Sequence, residues 1–270
     1  MPHKQQAIGI FDSGSGGVSV AKALHDLLPA EHLVYLADLA HFPYGDKTAQ
    51  QVQDYSLALT DYLLAKNCKM IIIACGTASS AASQLLRGYL ATEKIVVVDA
   101  ISPVVQFVKH RYQNQTIGLI ATPRTVASNV YQEQLAAADI TLHAVAAPLL
   151  APAIEAQLSG EQHDYHDLLA FYLKTLPKIE ALILGSTHYP LIKGHLEQYY
   201  QHSMELIDIA ELIAQAAQKV LQEKNLLADA TQIGTQEFYT TRVSAALQQV
   251  VEKFFGSHSL NLCELNHAKI

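Results

Sequence analysis

The sequence predicts an α/β protein of two similar doubly wound halves with mainly parallel sheets, related by a pseudo-twofold axis, with the active site between them. Short, almost continuously apolar runs alternate with longer amphipathic stretches. Strands that are apolar on both faces are typical of parallel sheets covered by helices on both sides. The chain has 270 residues, 50% of them hydrophobic, so it can bury a sizeable core.

The order of the elements follows from this alternation. The apolar runs predict strands at residues 7–11, 33–37, 70–74, 95–98, 117–120, 142–146 and 181–184. The amphipathic stretches predict helices at residues 18–28, 49–66, 78–90, 126–138 and 164–176. Beyond Asp208 we expect helices at 210–223 and 241–255, no further clear strand, and a tail that crosses back to the first half.

Two pairs of similar segments suggest a duplication. Ile8-Gly9-Ile10-Phe11 resembles Ile117-Gly118-Leu119-Ile120, which begins 109 residues later, and Cys75 and Ser186, 111 residues apart, each follow a buried run. The nearly constant offset predicts a discontinuous first domain of residues 1–98 and 209–270 and a second domain of residues 99–208. The alternative is that any two buried parallel strands share this pattern.

Matched strand ends predict where a small molecule binds. In open parallel sheets, ligands bind beyond the carboxyl ends of the strands. If the two halves face each other, Cys75 and Ser186 lie on opposite sides of one cleft. The predicted partner is therefore a small-molecule substrate.

Composition excludes several other partners. The formal net charge is −7 and lysine and arginine are scattered singly, so nothing predicts a surface for nucleic acid. No apolar run reaches the roughly 18 residues that span a bilayer, and the polar N-terminus predicts a cytoplasmic protein. Three cysteines without a CxxC pair predict free thiols. His188 with His195 is poorly spaced for a metal, and His163 with His166 is typical of a solvated helix face, so no metal is predicted.

The segment 12–17, Asp-Ser-Gly-Ser-Gly-Gly, lies between a predicted strand and a predicted helix. Its backbone amides favour an anion, and an exposed acid beside a serine favours a small zwitterion. A dinucleotide-binding loop would need glycine at Ser19, although Asp38 after the second strand fits that alternative. A P-loop lacks its lysine, the hydrolase pattern G-x-S-x-G is absent from this segment and from Ser186, and a tight structural turn stays open.

Two further strand ends carry reactive side chains. The helix after Cys75 is expected to lower the thiol pKa from about 8.5 toward neutrality, which makes Cys75 a candidate base or nucleophile. An inert buried cysteine is the alternative. Ser186, Thr187 and His188 bring two hydroxyls and an imidazole to the matching end, and histidine is the usual proton shuttle near neutral pH.

Five segments together resemble the glutamate racemases, a family of cofactor-independent amino-acid racemases. They are FDSGSGG at 11–17, PYG at 43–45, ACGTAS at 74–79, PLLAPAIE at 148–155 and LGSTHYPL at 184–191. Their order and spacing fit along nearly the whole chain, whereas about the last 60 residues are generic. The resemblance implies interconversion of L- and D-glutamate by two-base proton transfer for peptidoglycan synthesis, with no metal or organic cofactor, and it makes a homodimer plausible.

The resemblance also implies roles for single residues. Cys75 matches the thiol that acts on the D isomer, with Asp12 as its proton partner, and Ser186 stands where the family has the thiol that acts on the L isomer. Glu155 matches an acid near that second position and its histidine, His188. The positions that hold the carboxylates and ammonium of the substrate are matched by Ser13, Tyr44, Gly45, Thr77 and Thr187.

The sequence departs from the family at two facing positions. The family's Gly-Cys-Thr-His is Gly-Ser-Thr-His here, and its Ala-Cys-Asn-Thr is Ala-Cys-Gly-Thr, so Ser186 lacks the thiol and Gly76 lacks an amide that contacts the amino acid. Loss of one such hydrogen bond costs on the order of 1 kcal/mol. Because an alcohol is a much poorer base than a thiol, we expect an impaired or one-sided racemase. Two departures favour a natural origin over a single engineered inactivation.

Two other classes of function stay open at this point. One is a non-catalytic binding or regulatory protein that kept the fold. The other is a related cofactor-independent reaction of small acids, such as decarboxylation of a substituted malonate, in which one thiol protonates a planar intermediate.

Overall fold

The computed structural model of the protein describes residues 2–256 and 262–265. Its strands, in chain order, are β1 Ala7–Asp12, β2 Leu33–Ala37, β3 Cys68–Ile73, β4 Val96–Asp99, β5 Thr116–Ala121, β6 Thr141–Ala146, β7 Ala181–Leu184, β8 Glu205–Ile207, β9 Gln236–Thr240 and β10 Leu262–Glu264. Its helices are α1 Val18–Leu27, α2 Ala49–Ala65, α3 Gly76–Tyr89, α4 Ser102–Arg111, α5 Pro123–Ala127, α6 Val130–Ala136, α7 Leu150–Leu158, α8 Tyr165–Leu173, α9 Lys193–Tyr199, α10 Ile209–Glu223 and α11 Ala245–Phe255. Short 3-10 turns lie at Tyr44–Asp46 and Tyr189–Ile192.

The described strands form two sheets with the same internal order. One sheet has the order β10-β9-β2-β1-β3-β4 and the other has the order β6-β5-β7-β8. Every pairing between neighbours is parallel. The segment β2-β1-β3-β4 therefore corresponds strand for strand to β6-β5-β7-β8, and the predicted α/β class with two parallel sheets is confirmed. The exact domain boundaries stay a prediction.

The central strands β1, β3, β5 and β7 are buried on both faces, as their continuous apolarity predicts. Ile8 and Ile10 of β1 belong to a large apolar cluster that also contains Ile117 of β5. Phe11 of the same strand β1 points to a separate cluster on the other face of the first sheet, with Ile71 of β3. This alternation is the two-residue period of a strand, and each such side chain contributes roughly 1.5–3 kcal/mol when fully buried.

The expectation of no strand beyond Asp208 is wrong. β9 pairs in parallel with β2, and β10 pairs with β9 at the edge of the first sheet. β9 mixes buried Phe238 with partly exposed Gln236 and exposed Glu237, so it lacks the continuous apolar run that marked the central strands. The C-terminal segment thus returns to the first sheet.

Several helices also differ from the prediction. The helices α4, α7 and α9 were not predicted, and the single helix expected at 126–138 is divided into α5 and α6 by Asn129, which has a φ of 54°. The start of α4 is stabilised locally, because the Asp99 carboxylate accepts hydrogen bonds from the backbone N–H groups of Ile101 and Ser102, both at 2.8 Å. A side chain that caps from outside the helix gives no periodic pattern inside it.

A buried ion pair ties the returning segment to the first sheet. Lys69 Nζ of β3 lies 2.6 Å from Glu31 Oε2, and both side chains are at most 2% exposed. Lys69 also donates to the carbonyl oxygens of Lys4 and Leu226, and Glu31 Oε1 accepts from Ala228 N–H at 2.8 Å. Burial lowers the Lys69 pKa, against the opposing effect of Glu31.

Among the described helices, none is long and apolar enough to cross a membrane.

We predict that Glu31→Ala lowers the free energy of unfolding by about 3–5 kcal/mol, because it leaves the buried Lys69 without a counter-charge. Urea unfolding followed by circular dichroism measures this loss. The control is Asp26→Ala, which removes an exposed pair with Lys22 and costs less than about 1 kcal/mol. Equal losses in the two variants would contradict this role of Glu31.

Candidate active site

Four strand ends meet at one pocket between the two sheets. In each sheet the chain order reverses at a central pair, β1 and β3 in the first and β5 and β7 in the second, which is where open α/β sheets bind ligands. Asp12 ends β1 and Cys75 follows β3, while Thr122 follows β5 and Ser186 follows β7. Cys75, Thr122 and Ser186 line the pocket, and Asp12 lies directly behind it, bonded to the lining residue Thr187.

The pocket is small, enclosed and mostly neutral. Its cavity volume is about 20 Å³, which is room for one water molecule and too little for an amino acid. Its lining contains no lysine or arginine among the described residues. The lining residues that the sequence had singled out are Ser13, Tyr44, Gly45, Cys75, Gly76, Thr77, Ser186, Thr187 and His188.

Asp12 is fully buried, so the expectation of an exposed acid is wrong. Its Oδ1 accepts from the backbone N–H of Gly14 at 2.8 Å, and its Oδ2 accepts from Thr187 Oγ1 at 3.0 Å. Burial raises the Asp12 pKa, and the nearby His188 and the two hydrogen bonds oppose that rise. Asp12 therefore joins the first half to the second and is more basic than a surface aspartate.

Cys75 lies at the N-terminus of α3 with its sulfur in a hydrogen-bonded position. Its Sγ accepts from Ala78 N–H at 3.4 Å and lies 3.5 Å from Ser13 Oγ. The expected lowering of the thiol pKa is wrong, because burial and the negative charge of Asp12 outweigh these hydrogen bonds and raise the pKa to about 11. The resting side chain is a thiol, and it needs a proton acceptor before it can act as a base.

Glu155 and His188 form a buried pair on the opposite side of the pocket. Glu155 lies in α7, and its Oε1 is 2.7 Å from His188 Nε2. Burial alone would raise the Glu155 pKa, but the hydrogen bonds from His188 and Ser15 lower it. Burial alone would lower the His188 pKa, but Glu155 and Asp12 raise it. Both shifts favour an ionised carboxylate beside a protonated imidazole.

The Ser186 hydroxyl is not hydrogen-bonded to this imidazole ring. The hydroxyl of Ser186 accepts from the backbone N–H of His188 at 3.4 Å, and the ring is bonded through Nε2 to Glu155 instead. The hydrogen bonds of the described residues include none between Ser186 Oγ and the His188 ring. Ser186 is not arranged as the nucleophile of a serine–histidine–acid triad.

The two halves are in close contact at two glycines. A Cβ atom on Gly16 would lie 2.7 Å from the backbone nitrogen of His188, and one on Gly76 would lie 2.6 Å from the carbonyl oxygen of Gly185. Backbone atoms of the second half therefore occupy the space that side chains would need at both positions. Gly76, which the sequence identified as a departure from the family, allows the Gly185–Ser186 segment to lie directly against α3.

The Asp38 carboxylate is hydrogen-bonded within the protein, beside the pocket residue Tyr44. This arrangement argues against the dinucleotide-binding alternative. Its fully buried carboxylate accepts from Tyr44 OH at 2.6 Å, from Thr241 Oγ1 at 2.8 Å and from His41 Nδ1 at 2.9 Å. Burial and Asp38 raise the Tyr44 pKa well above its ordinary value. A carboxylate with three protein partners is not available for a ribose.

Sequence reasoning missed the end of β5. Thr122 Oγ1 is 2.8 Å from Thr77 Oγ1 across the pocket, and Thr122 Cβ lies 3.2 Å from the position of a Cβ on Gly45. Nearby, Arg124 Nε donates to the carbonyl oxygen of Lys47 at 2.5 Å. The rule that identified Cys75 and Ser186, a polar residue after a buried parallel strand, applies equally to Thr122.

The fold and the site define an α/β enzyme of two similar sheets in which acid and base groups from both halves surround one small-molecule pocket. The chain belongs to the Asp/Glu/Hydantoin racemase family, whose model matches residues 8–217. It is 36% identical over 259 residues to the glutamate racemase of Corynebacterium diphtheriae, a match that covers 94% of this chain and 96% of the relative.

Solved structures give the same relationship. The glutamate racemase of Francisella tularensis, solved in complex with D-glutamate, superimposes with a TM-score of 0.87 at 30% identity, over 97% of this chain and 98% of that one. The glutamate racemase isoform RacE1 of Bacillus anthracis gives 0.89 at 29% identity, over 98% and 99%. The resemblance found in the sequence motifs is thus confirmed at the level of the family.

We predict opposite effects of the same substitution at two positions in α3. Gly76→Ala forces the Gly185 backbone away and lowers the free energy of unfolding by about 1–3 kcal/mol. Gly88→Ala meets no atom within 4 Å and raises that free energy by roughly 0.5–1 kcal/mol, because alanine is the better helix former. Thermal and urea unfolding measure both changes, and a stabilising Gly76→Ala would show that the halves do not meet at Gly76.

Proposed function

We propose that this chain is a cofactor-independent isomerase of glutamate or a closely related amino diacid, fast at one face of the substrate and slow at the other. The observation that carries the proposal is that Cys75 and Ser186 occupy equivalent strand ends in the two sheets and line the same pocket. The similarity to proteins named glutamate racemase supports the choice of substrate.

The lining favours carboxylates without offering a fixed cation from lysine or arginine. The lining includes four hydroxyl residues, Ser13, Thr77, Thr122 and Thr187, and the first N–H groups of α3 carry the positive end of the helix dipole. His188 adds a positive charge, since Glu155 and Asp12 raise its pKa. Neutral donors around one imidazolium suit a small zwitterion with two carboxylates better than a large polyanion.

Cys75 is the proposed proton carrier at the face it borders. Because its pKa is raised to about 11, it first passes its proton to a base, and Asp12, with a pKa raised by burial, is the proposed acceptor. The thiolate then takes the α-proton: the Cα–H bond breaks, an S–H bond forms, and the electron pair moves into the α-carboxylate. Return of a proton from Cys75 regenerates the starting isomer.

Ser186 is the proposed cause of a slow opposite face. An alcohol is far less ionised than a thiol near neutral pH, and the His188 ring bonds Glu155 rather than the Ser186 hydroxyl. Removal of the α-proton of the L isomer is therefore strongly slowed. Inversion of the D isomer is also slow, because the intermediate must take its second proton from the hydroxyl or from water.

The biological setting extends this proposal. By analogy with the family, the D isomer would supply peptidoglycan synthesis in the cytoplasm, and the chain would form a homodimer. Light scattering during size-exclusion chromatography tests the last point by distinguishing one chain mass from two.

The test of the proposed function is incubation with each glutamate enantiomer in D₂O, followed by NMR of Cα deuteration and by chiral analysis. The unmodified chain should deuterate D-glutamate much faster than it inverts it, and should do neither rapidly with L-glutamate. Ser186→Cys should raise racemisation in both directions by about 10²–10⁴-fold, the usual contribution of a positioned acid–base group. Ser203→Cys, at an exposed position, is the matched control and should change neither rate.

Three outcomes would contradict the proposal. Rapid inversion of both isomers by the unmodified chain would show that Ser186 is not limiting. No gain from Ser186→Cys, together with no binding of glutamate, would indicate a non-catalytic protein. Release of carbon dioxide from substituted malonates would indicate a decarboxylase.

A further inference from the structure

One oxygen of Glu155 accepts three hydrogen bonds, and two of them come from a single serine in the other half. The backbone N–H of Ser15 donates to Glu155 Oε1 at 2.8 Å, and the Ser15 hydroxyl donates to the same oxygen at 2.5 Å. His188 Nε2 completes the set at 2.7 Å. Ser15 is fully buried in the loop after β1, whereas Glu155 lies in α7 of the second half.

The two hydrogen bonds of Ser15 can be separated by mutation, because only one of them depends on the side chain. Any residue at position 15 keeps the backbone N–H bond, but only a hydroxyl adds the second donor. Ser19, four residues further along, shows the contrast: its buried hydroxyl donates to the carbonyl oxygen of Gly16 at 2.8 Å and lies 3.5 Å from the carbonyl oxygen of Thr187, with no hydrogen bond to the Glu155 carboxylate. The chain thus contains a functional candidate and a matched reference serine side by side.

Ionisable side chains from several neighbouring elements surround the Glu155–His188 pair. Asp12 at the end of β1 acts on both members of the pair. Tyr35 of β2 is buried beside them and donates to the carbonyl oxygen of Gly14 at 2.6 Å. Cys75, Tyr44 and Asp46 line the same pocket as His188, and the Cys75 pKa of about 11 keeps that thiol neutral near pH 7. Glu155 and Asp12 are the charged groups that raise the His188 pKa.

We propose that Ser15 is a positioning residue whose hydroxyl fixes the Glu155 carboxylate on His188 Nε2 across the two halves and so orients the His188 ring beside Ser186. Ser15 is not among the residues that line the pocket. Its effect passes through Glu155 to His188, and its two hydrogen bonds cross between the halves. The assignment of this role rests on the proposed function, whereas the contact itself does not.

Loss of the Ser15 hydroxyl is expected to lower the His188 pKa. The Ser15 hydrogen bonds lower the Glu155 pKa, and Glu155 raises the His188 pKa. Without the hydroxyl, the carboxylate is held less firmly on His188 Nε2, and a weaker contact with this carboxylate lowers the His188 pKa. A single hydrogen bond to a charged group corresponds to about a tenfold change in proton affinity, or about one pH unit.

The experiment is an NMR titration of the His188 ring, assigned by comparison with His188→Gln. We expect Ser15→Ala to move the His188 midpoint to lower pH by about one unit, Ser15→Thr to leave it nearly unchanged, and Ser19→Ala to leave it unchanged. Ser15→Cys, with a weak S–H donor, should give a smaller shift in the same direction, which keeps the test available if the alanine variant does not fold.

An unmoved midpoint in Ser15→Ala or Ser15→Cys would overturn the proposal, and so would an equal shift in Ser19→Ala. A lower melting temperature without a shift of His188 would show a purely structural serine and would overturn it as well. The titration requires no turnover. Absence of glutamate exchange with the expected shift present would contradict the proposed function alone.

Discussion

The site depends on buried hydrogen bonds that join the carboxyl edges of the two sheets across one pocket. Thr187 Oγ1 donates to Asp12 at 3.0 Å, and Ser15 donates twice to Glu155. An unpaired buried carboxylate oxygen costs at least about 1–3 kcal/mol, so these contacts strongly favour the closed arrangement. In this closed arrangement the cavity holds about one water molecule, and the acid–base groups of both halves are assembled around it.

The two sheets place different side chains at equivalent positions of the site. Equivalent strand ends in the two sheets carry Cys75 and Ser186, and the ordinary pKa values of a thiol and an alcohol differ by several pH units. The surroundings differ as well, because Cys75 lies near a buried carboxylate with a raised pKa, Asp12, whereas Ser186 lies near the imidazolium of His188. The scaffold retains two acid–base faces, but this chain has a thiol at only one of them.

The sequence predicted the central strands and most of the site because both follow from local rules. Long apolar runs identify strands buried on two faces, and polar residues after them identify the ligand edge. β9 was missed because its exposed face is polar, and the break between α5 and α6 was missed because it depends on the left-handed backbone of Asn129. The acidity of Cys75 was predicted with the wrong sign, since a helix terminus is visible in a sequence but complete burial beside Asp12 is not. The Ser15–Glu155 contact joins residues 140 positions apart and has no local signature.

The assignment of proton transfer to Cys75 is tested most directly by Cα–H exchange of D-glutamate in D₂O. The exchange rates of Cys75→Ala and Ser186→Ala are compared with that of the unmodified chain. If Cys75 is the one competent base, Ser186→Ala keeps the exchange rate within about twofold, whereas Cys75→Ala lowers it by at least about 10²-fold, the lower bound for loss of a positioned base. Exchange that survives in Cys75→Ala, or that is lost in Ser186→Ala, would contradict the assignment of the proton transfer to Cys75.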